Sequence, residues 1–334
     1  MSRKNVLVTG AAGFLGTHLV ERHLSAGDIV YGIDNFSSSR RDGRRFLNIL
    51  AHDDFAFLEC DVCDKYEMMG LFEDGIDDEH VQFDLVYNFA CPASPPVYQR
   101  MPIETLLACT QGFANVLRYA RENNHRAIVV HASTSEVYGD PEVTPQGESY
   151  KGSVNCYGPR ACYDEGKRAA EALAFDHLGM GFDVRLARIF NTFGPGMDPD
   201  DGRVVTNFVR AAFANAPLII NGDGFQRSFC YVDDLIDGII ALGALLENPR
   251  SPVNLGNADE ITIHDLAQRI LRLMPESSSG IELGQRMKDD PVMRCPDLSL
   301  ARALLGYDPK IPLDEGLTRM IEWMRQEREN GNDR

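Results

Sequence analysis

The strongest constraint on the fold is the stretch "NVLVTGAAGFLG" near the N-terminus. A short apolar run, the pattern of a buried strand, stops at Gly10. Gly13 and Gly16 follow at intervals of three, and a helical pattern over 13–26 begins at once. Glycine permits a tight turn and a close backbone approach to a ligand. The helix N-terminus offers N–H groups and the positive end of its dipole to an anion. Strand, glycine turn and helix in that order suit a dinucleotide pyrophosphate. Gly10, Gly13, Phe14, Leu15 and Gly16 are the cofactor-binding residues expected of this turn.

The alternation then repeats. "IVYGID", "FAFLECD", "FDLVYNFA", "RAIVVHAST" and "FDVRLARIFN" read as further strands, with a long helix expected over 105–123 and another through "ACYDEGKR". This pattern predicts an α/β chain built on a Rossmann-type doubly wound parallel sheet. After Asn191 the texture changes. "GPGMDPDDGR" reads as loop and "PLIINGDGFQRSF" as a short strand with a polar tail; helical patterns follow at 232–247, 262–273, 297–305 and 313–328. These predict a smaller mixed α/β substrate-binding lobe. The expected division is 1–190 plus about 232–257 for the dinucleotide domain, and about 191–231 plus 258–334 for the second lobe.

Charge narrows the partners. The net charge is -17, which argues against nucleic acid and against anionic membrane surfaces. An anionic ligand must then be held by local arginine or lysine. No window reaches the roughly 18 apolar residues of a membrane span. "MSRK" passes directly into a strand, which leaves no room for a signal peptide. The eight cysteines show no regular spacing. Cys60 and Cys63 in "ECDVCD" imitate a metal knuckle but lack a second pair, so no metal is expected. A reducing, cytoplasmic setting is the expectation.

The second strand ends at Asp34, eighteen residues beyond Gly16. A carboxylate there accepts ribose hydroxyls and repels a 2′-phosphate, which favours NAD over NADP. Arg40 and Arg41 close behind pull the other way. Asp61 ends the third strand, suited either to an adenine edge or to capping a helix at "KYEMM".

"HASTSEVYG" closes a strand with Ser133, Thr134, Ser135 and Glu136. Strand C-termini in open α/β sheets face the ligand crevice. Tyr163 and Lys167 follow, four apart on one helix face. A phenol with an ordinary pKa of about 10 needs a neighbouring cation to act as a base at neutral pH. Thr134, Tyr163 and Lys167 together suit removal of an alcohol proton while hydride leaves to a nicotinamide.

The motifs "CPASPPVYQ" (91–99), "STSEVYGDPEVTPQ" (133–146), "GPRACYDEGKRAAE" (158–171), "RIFNTFGPGM" (188–197), "DGRVVTNF" (201–208) and "RSFCYVDDLIDG" (227–238) resemble the extended short-chain dehydrogenase/reductase family. Within it they resemble the UDP-glucuronate decarboxylases, over nearly the whole chain. The resemblance implies NAD-dependent, redox-neutral decarboxylation of UDP-glucuronate through a UDP-4-keto intermediate to UDP-xylose. It implies catalytic roles for Thr134, Ser135, Glu136, Tyr163, Lys167 and Arg294, and adds Asn35, Arg40, Val62 and Ala90 to Asp34 and Asp61 around NAD. Tyr98, Asn191, Arg203, Val204, Arg227, Tyr231 and Arg294 would hold the UDP-sugar. A homodimer is implied, packed through helices at about 100–123 and 158–178; Leu106, Phe113, Val116 and Leu117 suit such an interface, with sheet packing the alternative for part of them.

Some segments depart from the family pattern: "GFQRSF" (224–229) is one residue short, and "YKGSVNCYGPR" (150–160) and "FSSSRR" (36–41) are altered. Release of some UDP-4-keto-xylose, a 4-epimerase or 4,6-dehydratase outcome, and a non-catalytic NAD-binding regulator are the alternatives. Ser135 disfavours dehydration, because the dehydratases carry an aspartate there. The intact Tyr163–Lys167 pair disfavours the regulator.

Overall fold

The computed structural model describes residues 3–71, 81–222, 224–286, 291 and 293–331. A seven-stranded sheet forms its centre. Six strands are β1 (Asn5–Thr9), β2 (Ile29–Asp34), β3 (Phe55–Glu59), β4 (Leu85–Asn88), β5 (Ile128–Thr134) and β6 (Val184–Ile189). A seventh, Val253–Leu255, returns from late in the chain to the outer edge of β6. From that edge the order runs β6, β5, β4, β1, β2, β3, and every pairing is parallel. A Rossmann-type parallel sheet flanked by helices is therefore what the strand alternation builds. Most of its strands are apolar throughout because helices bury both faces.

The order reverses between β1 and β4, so a crevice opens there at the strand C-termini. Buried polar bonds fix this point. Thr9 Oγ1 donates to Asn88 Oδ1 at 2.9 Å and accepts from the N–H groups of Phe89 and Ala90, each at 3.1 Å. The first helix, α1 (Phe14–Ser25), leaves the glycine turn beside it.

The expected helix over 105–123 starts earlier and is not uniform. Pro102–Leu107 is α-helical, Ala108–Gly112 forms one π turn, and Phe113–Asn123 is α-helical again. Phe113, Val116 and Leu117 are fully buried in the core on one sheet face, whereas Leu106 is exposed. The first three are therefore core residues, not surface available to a partner. Helical spacing placed them on one stripe, and the sheet takes that stripe.

Beyond β6, short strands build the second lobe. Gln226–Ser228 pairs antiparallel with Glu260–Thr262 and parallel with Met293–Arg294. Leu218–Asn221 pairs parallel with Ile281–Gly284. A helix at Val204–Phe213, which the sequence pattern did not single out, covers this lobe beside the cleft. Among the described residues no helix is long and apolar enough to cross a membrane.

Candidate active site

A cleft of about 860 Å³ lies between the strand C-termini and the second lobe. Gly10, Gly13, Phe14, Leu15 and Gly16 line one end. Gly10 has φ +71°, and a Cβ there would stand 2.9 Å from the backbone of residues 89 and 90. A Cβ on Gly16 would stand 2.0 Å from the Gly10 carbonyl oxygen, so the turn closes only with glycine at both places. Its fit to a pyrophosphate is a property of this backbone, not of the triplet alone. Gly16→Ala is expected to abolish the thermal stabilisation that added NAD gives the protein. An unchanged shift in melting temperature would show that the turn has room to spare.

The other expected cofactor residues divide. Asp34 accepts from the N–H groups of Ala12 (3.1 Å) and Phe36 (2.8 Å) and from Ser39 Oγ (2.7 Å). Burial raises its pKa, and these donors work against that rise. These bonds brace the turn. Asn35 accepts from Ser37 N–H. Asp61 accepts from Cys63 N–H, while the neighbouring helix is capped by Asp64. Asp34, Asn35, Asp61, Val62 and Ala90 are not among the residues that line the cleft; Arg40 is. Arg40 pairs with Asp42, and Arg41 pairs with Glu59 and lies over Phe36. Both arginines that would suit a 2′-phosphate are thus committed to carboxylates. Burial pushes the Cys60 and Cys63 thiols up to about 12.

Thr134, Ser135, Glu136, Tyr163 and Lys167 converge on the middle of the cleft. Thr134 closes β5 in extended conformation, and its Oγ1 accepts from Glu136 N–H at 3.2 Å as a 3-10 turn begins at Ser135. Tyr163 and Lys167 come from the helix Ala161–Gly179 and are both buried. Burial drives the Tyr163 phenol above its usual value, Cys91 and Cys109 add to this, and a hydrogen bond with Thr134 opposes it. Lys167 does not bond the phenol. Its Nζ lies 5.8 Å from the Tyr163 ring centre and donates to the Ala132 carbonyl at 2.7 Å. Ser133 faces away from this group, and its Oγ donates to Glu171, which is held bidentately by Arg188.

Tyr98 stacks flat on Tyr163, with ring centres 5.2 Å apart and planes 3° from parallel. Its hydroxyl is buried and has no hydrogen-bond partner among the described residues. A buried hydroxyl left so is costly unless a ligand completes it.

Glu136 sits between two guanidinium groups. Arg160 donates to its Oε2 at 2.6 Å, and Arg294 donates to its Oε1. Burial would raise the Glu136 pKa, but Arg294 and Arg160 outweigh it and hold the carboxyl at about 2. Burial and Glu136 raise the Asp164 carboxyl to about 8, and Arg160 and Arg294 oppose the rise. Two guanidinium groups thus meet Glu136, and Asp164 lies 3.8 Å from one of them, Arg160. Arg160 was not singled out in the sequence. The available signal was its place three residues before Tyr163, on the same helical face. Arg294 is no loop residue: it lies in the Met293–Arg294 strand and is 3% exposed.

Asn191, Arg203, Val204 and Arg227 line the other end of the cleft. Arg203 is paired with Asp201, and Arg227 donates to the Pro291 and Gln226 carbonyls across the face of Phe225. The shortened 224–229 segment therefore keeps Arg227 at the cleft wall. Tyr231 does not reach it. Its ring packs edge-on against Phe193 and under the Arg319 guanidinium, in the joint between the lobes. Cys156 and Tyr157 are not among the residues that line the cleft, and Tyr157 is 95% exposed, whereas Arg160 at the end of the same altered segment does line it.

A family model described as the NAD dependent epimerase/dehydratase family matches residues 6–256. The UDP-glucuronic acid decarboxylase 1 of Xenopus tropicalis is 43% identical over 330 residues, covering 98% of this chain and 74% of that protein. The UDP-glucuronic acid decarboxylase 1 of Arabidopsis thaliana is 43% identical over 97% of this chain and 70% of its own length. Among solved structures, an epimerase from Methanothermobacter thermautotrophicus superposes with a TM-score of 0.87 at 29% identity, over 98% of this chain and 94% of that one.

Proposed function

The chain belongs to the NAD dependent epimerase/dehydratase family, and we propose that it catalyses the NAD-dependent decarboxylation of UDP-glucuronate to UDP-xylose. The observation that carries this reading is the Glu136–Arg160–Arg294 cluster beside Tyr163. Two guanidinium groups meet one carboxylate in the same cleft as a buried phenol, a setting suited to a substrate carboxylate. Neither an epimerase nor a dehydratase acting on a neutral hexose needs those cations.

NAD fits the glycine turn, where a Cβ at Gly10 or Gly16 would fill the space the backbone needs. Gly10, Gly13, Phe14, Leu15 and Gly16 would hold it, with Asp34 at the ribose end and Tyr163 and Lys167 at the nicotinamide end. Bound there, it supplies a reversible hydride acceptor for C4 of the sugar. Tyr163 takes the C4 hydroxyl proton, and Thr134 fixes the hydroxyl. The resulting ketone lies β to the C6 carboxylate, so the electrons of the C–C bond flow into an enolate as CO₂ leaves. Arg294 orients the carboxylate, while Arg160 keeps Glu136 ionised and in place. The unpartnered Tyr98 hydroxyl offers a donor to the sugar. The enolate takes up a proton from solvent at C5 to restore the C4 ketone, and Tyr163 then returns its own proton as C4 is reduced again. Asn191, Arg203, Val204 and Arg227 serve the diphosphate and nucleoside, and Ser135 the sugar. Tyr231 supports them from behind. The division into 1–190 with 232–257, and 191–231 with 258–334, separates cofactor binding from sugar binding.

The free state of all eight cysteines suits a reducing, cytoplasmic setting. Exposed Ile103, Leu106, Leu107 and Phe175, on the helices Pro102–Leu107 and Ala161–Gly179, suit a homodimer packed helix to helix.

The test is direct. Purified protein given UDP-glucuronate should release CO₂ and form UDP-xylose with no lasting absorbance at 340 nm. A lasting signal alongside UDP-4-keto-xylose would show leakage of the intermediate. Absence of CO₂ rules out decarboxylation and leaves the epimerase reading.

A further inference from the structure

Two thiols in mutual contact, one of them against the catalytic helix beside Tyr163, have no part in the reaction above. Cys91 follows β4 at the switch point and lines the cleft with Tyr163 and Lys167. Cys109 comes from the π turn Ala108–Gly112 and is 1% exposed. Their sulfurs are 3.3 Å apart, in S–H···S contact. A Cβ added to Gly166, which lies between Tyr163 and Lys167, would stand 3.0 Å from the Cβ of Cys109. Cys109 therefore rests against the turn that carries the proton-transfer pair, and Cys91 lies in contact with its sulfur.

Their chemistry is unequal. The hydrogen bond with Cys109 favours the Cys91 thiolate most; burial opposes it and the Lys167 ammonium assists, leaving Cys91 at about 7. That same bond and burial hold Cys109 as a thiol, well above its usual value. One sulfur is thus poised to attack and the other to resolve. A disulfide bond is about 2.05 Å long, so closure needs about 1.3 Å of sulfur movement from the observed separation. A π turn is an adaptable place from which to supply it.

We propose that Cys91 and Cys109 form a peroxide-reactive dithiol that closes to a reversible disulfide beside Tyr163 and slows the enzyme. The Cys91 thiolate attacks the O–O bond of hydrogen peroxide. Sulfur loses two electrons and becomes the sulfenic acid, and the displaced oxygen leaves as hydroxide and takes up a proton as water. Cys109 then attacks the sulfenic sulfur; the S–S bond forms, the S–O bond breaks, and a second water carries off the thiol proton. Two thiols and one peroxide thus give one disulfide and two waters. Two electrons from a dithiol reductant reverse it. Closure pulls Cys91 from the wall it shares with Tyr163 and Lys167, and small displacements there cost rate.

The test uses the full chain exposed to graded hydrogen peroxide, alkylated, digested and mapped by mass spectrometry. The expected result is a Cys91–Cys109 linked peptide, with free thiols falling from eight to six as two are consumed. Turnover should fall roughly fivefold or more and return with dithiothreitol. In Cys109→Ser, the Cys91 sulfenic acid should persist and be trapped by dimedone. The proposal is overturned if no linked peptide forms at doses that oxidise the exposed Cys156, or if the disulfide forms with turnover unchanged. Only the turnover readout rests on the proposed function. Thiol mapping needs no substrate, so failure of the decarboxylase reading leaves the disulfide itself decided.

Discussion

Tyr163→Phe is expected to lower turnover of UDP-glucuronate by about a thousandfold, within the 10²–10⁴ range of a positioned acid–base group. NAD should remain bound, because the glycine turn that cradles it lies at the other end of the cleft. The phenylalanine keeps the ring stacked on Tyr98 and removes only the hydroxyl bonded to Thr134. The wild-type pH profile carries a second signature. The base is the deprotonated phenol, and burial with Cys91 and Cys109 raises its pKa. Less of it is ionised at neutral pH, so turnover should rise toward alkaline pH and fall as pH drops. A positive charge held beside the ring shifts that limb toward neutrality without changing its direction. Near-normal turnover in Tyr163→Phe, or a mutant that keeps the alkaline limb, would remove Tyr163 from the role of base.

Arg294→Gln is the second large effect. It should lower kcat/KM for UDP-glucuronate by about 10²–10³, or about 3–4 kcal/mol at 1.36 kcal/mol per tenfold, as expected for losing a buried charge-assisted partner. Inhibition by UDP, which has no sugar carboxylate, should be almost unchanged. Arg160 continues to neutralise Glu136 in the variant, so the fold is not left with an unpaired buried carboxylate. If UDP-glucuronate is turned over normally, Arg294 only buttresses Glu136. If UDP inhibition is lost in parallel, the residue serves the nucleotide end or the lobe as a whole.

The two effects differ in how visible their residues are before folding. Tyr163 and Lys167 are four apart on one helix, and the glycine turn spans seven residues, so local geometry alone sets each group. The strand alternation likewise announces the parallel sheet. Glu136 is locally legible as the polar end of β5. Its partners are not: Arg160 is 24 residues away and Arg294 is 158. Resemblance found Arg294 and passed over Arg160; only their arrival on opposite oxygens of one carboxylate shows what both do. The same limit misplaced Tyr231, whose ring the lobe joint takes. It also placed Phe113, Val116 and Leu117 on a surface that the sheet covers.

By itself, then, the sequence determined the parallel sheet, the glycine turn and the proton-transfer pair, because each depends on backbone freedom and on a period of two or 3.6 residues. Tertiary structure decided the charge of the site. Asp34 is turned toward its own loop by three donors, and Arg40 and Arg41 are spent on carboxylates. Arg294 reaches Glu136 only when the strand at 293–294 docks beside the end of β5. Pairing of buried charges depends on which side chains meet across the cleft. That follows from the packing of two lobes, which no local period encodes.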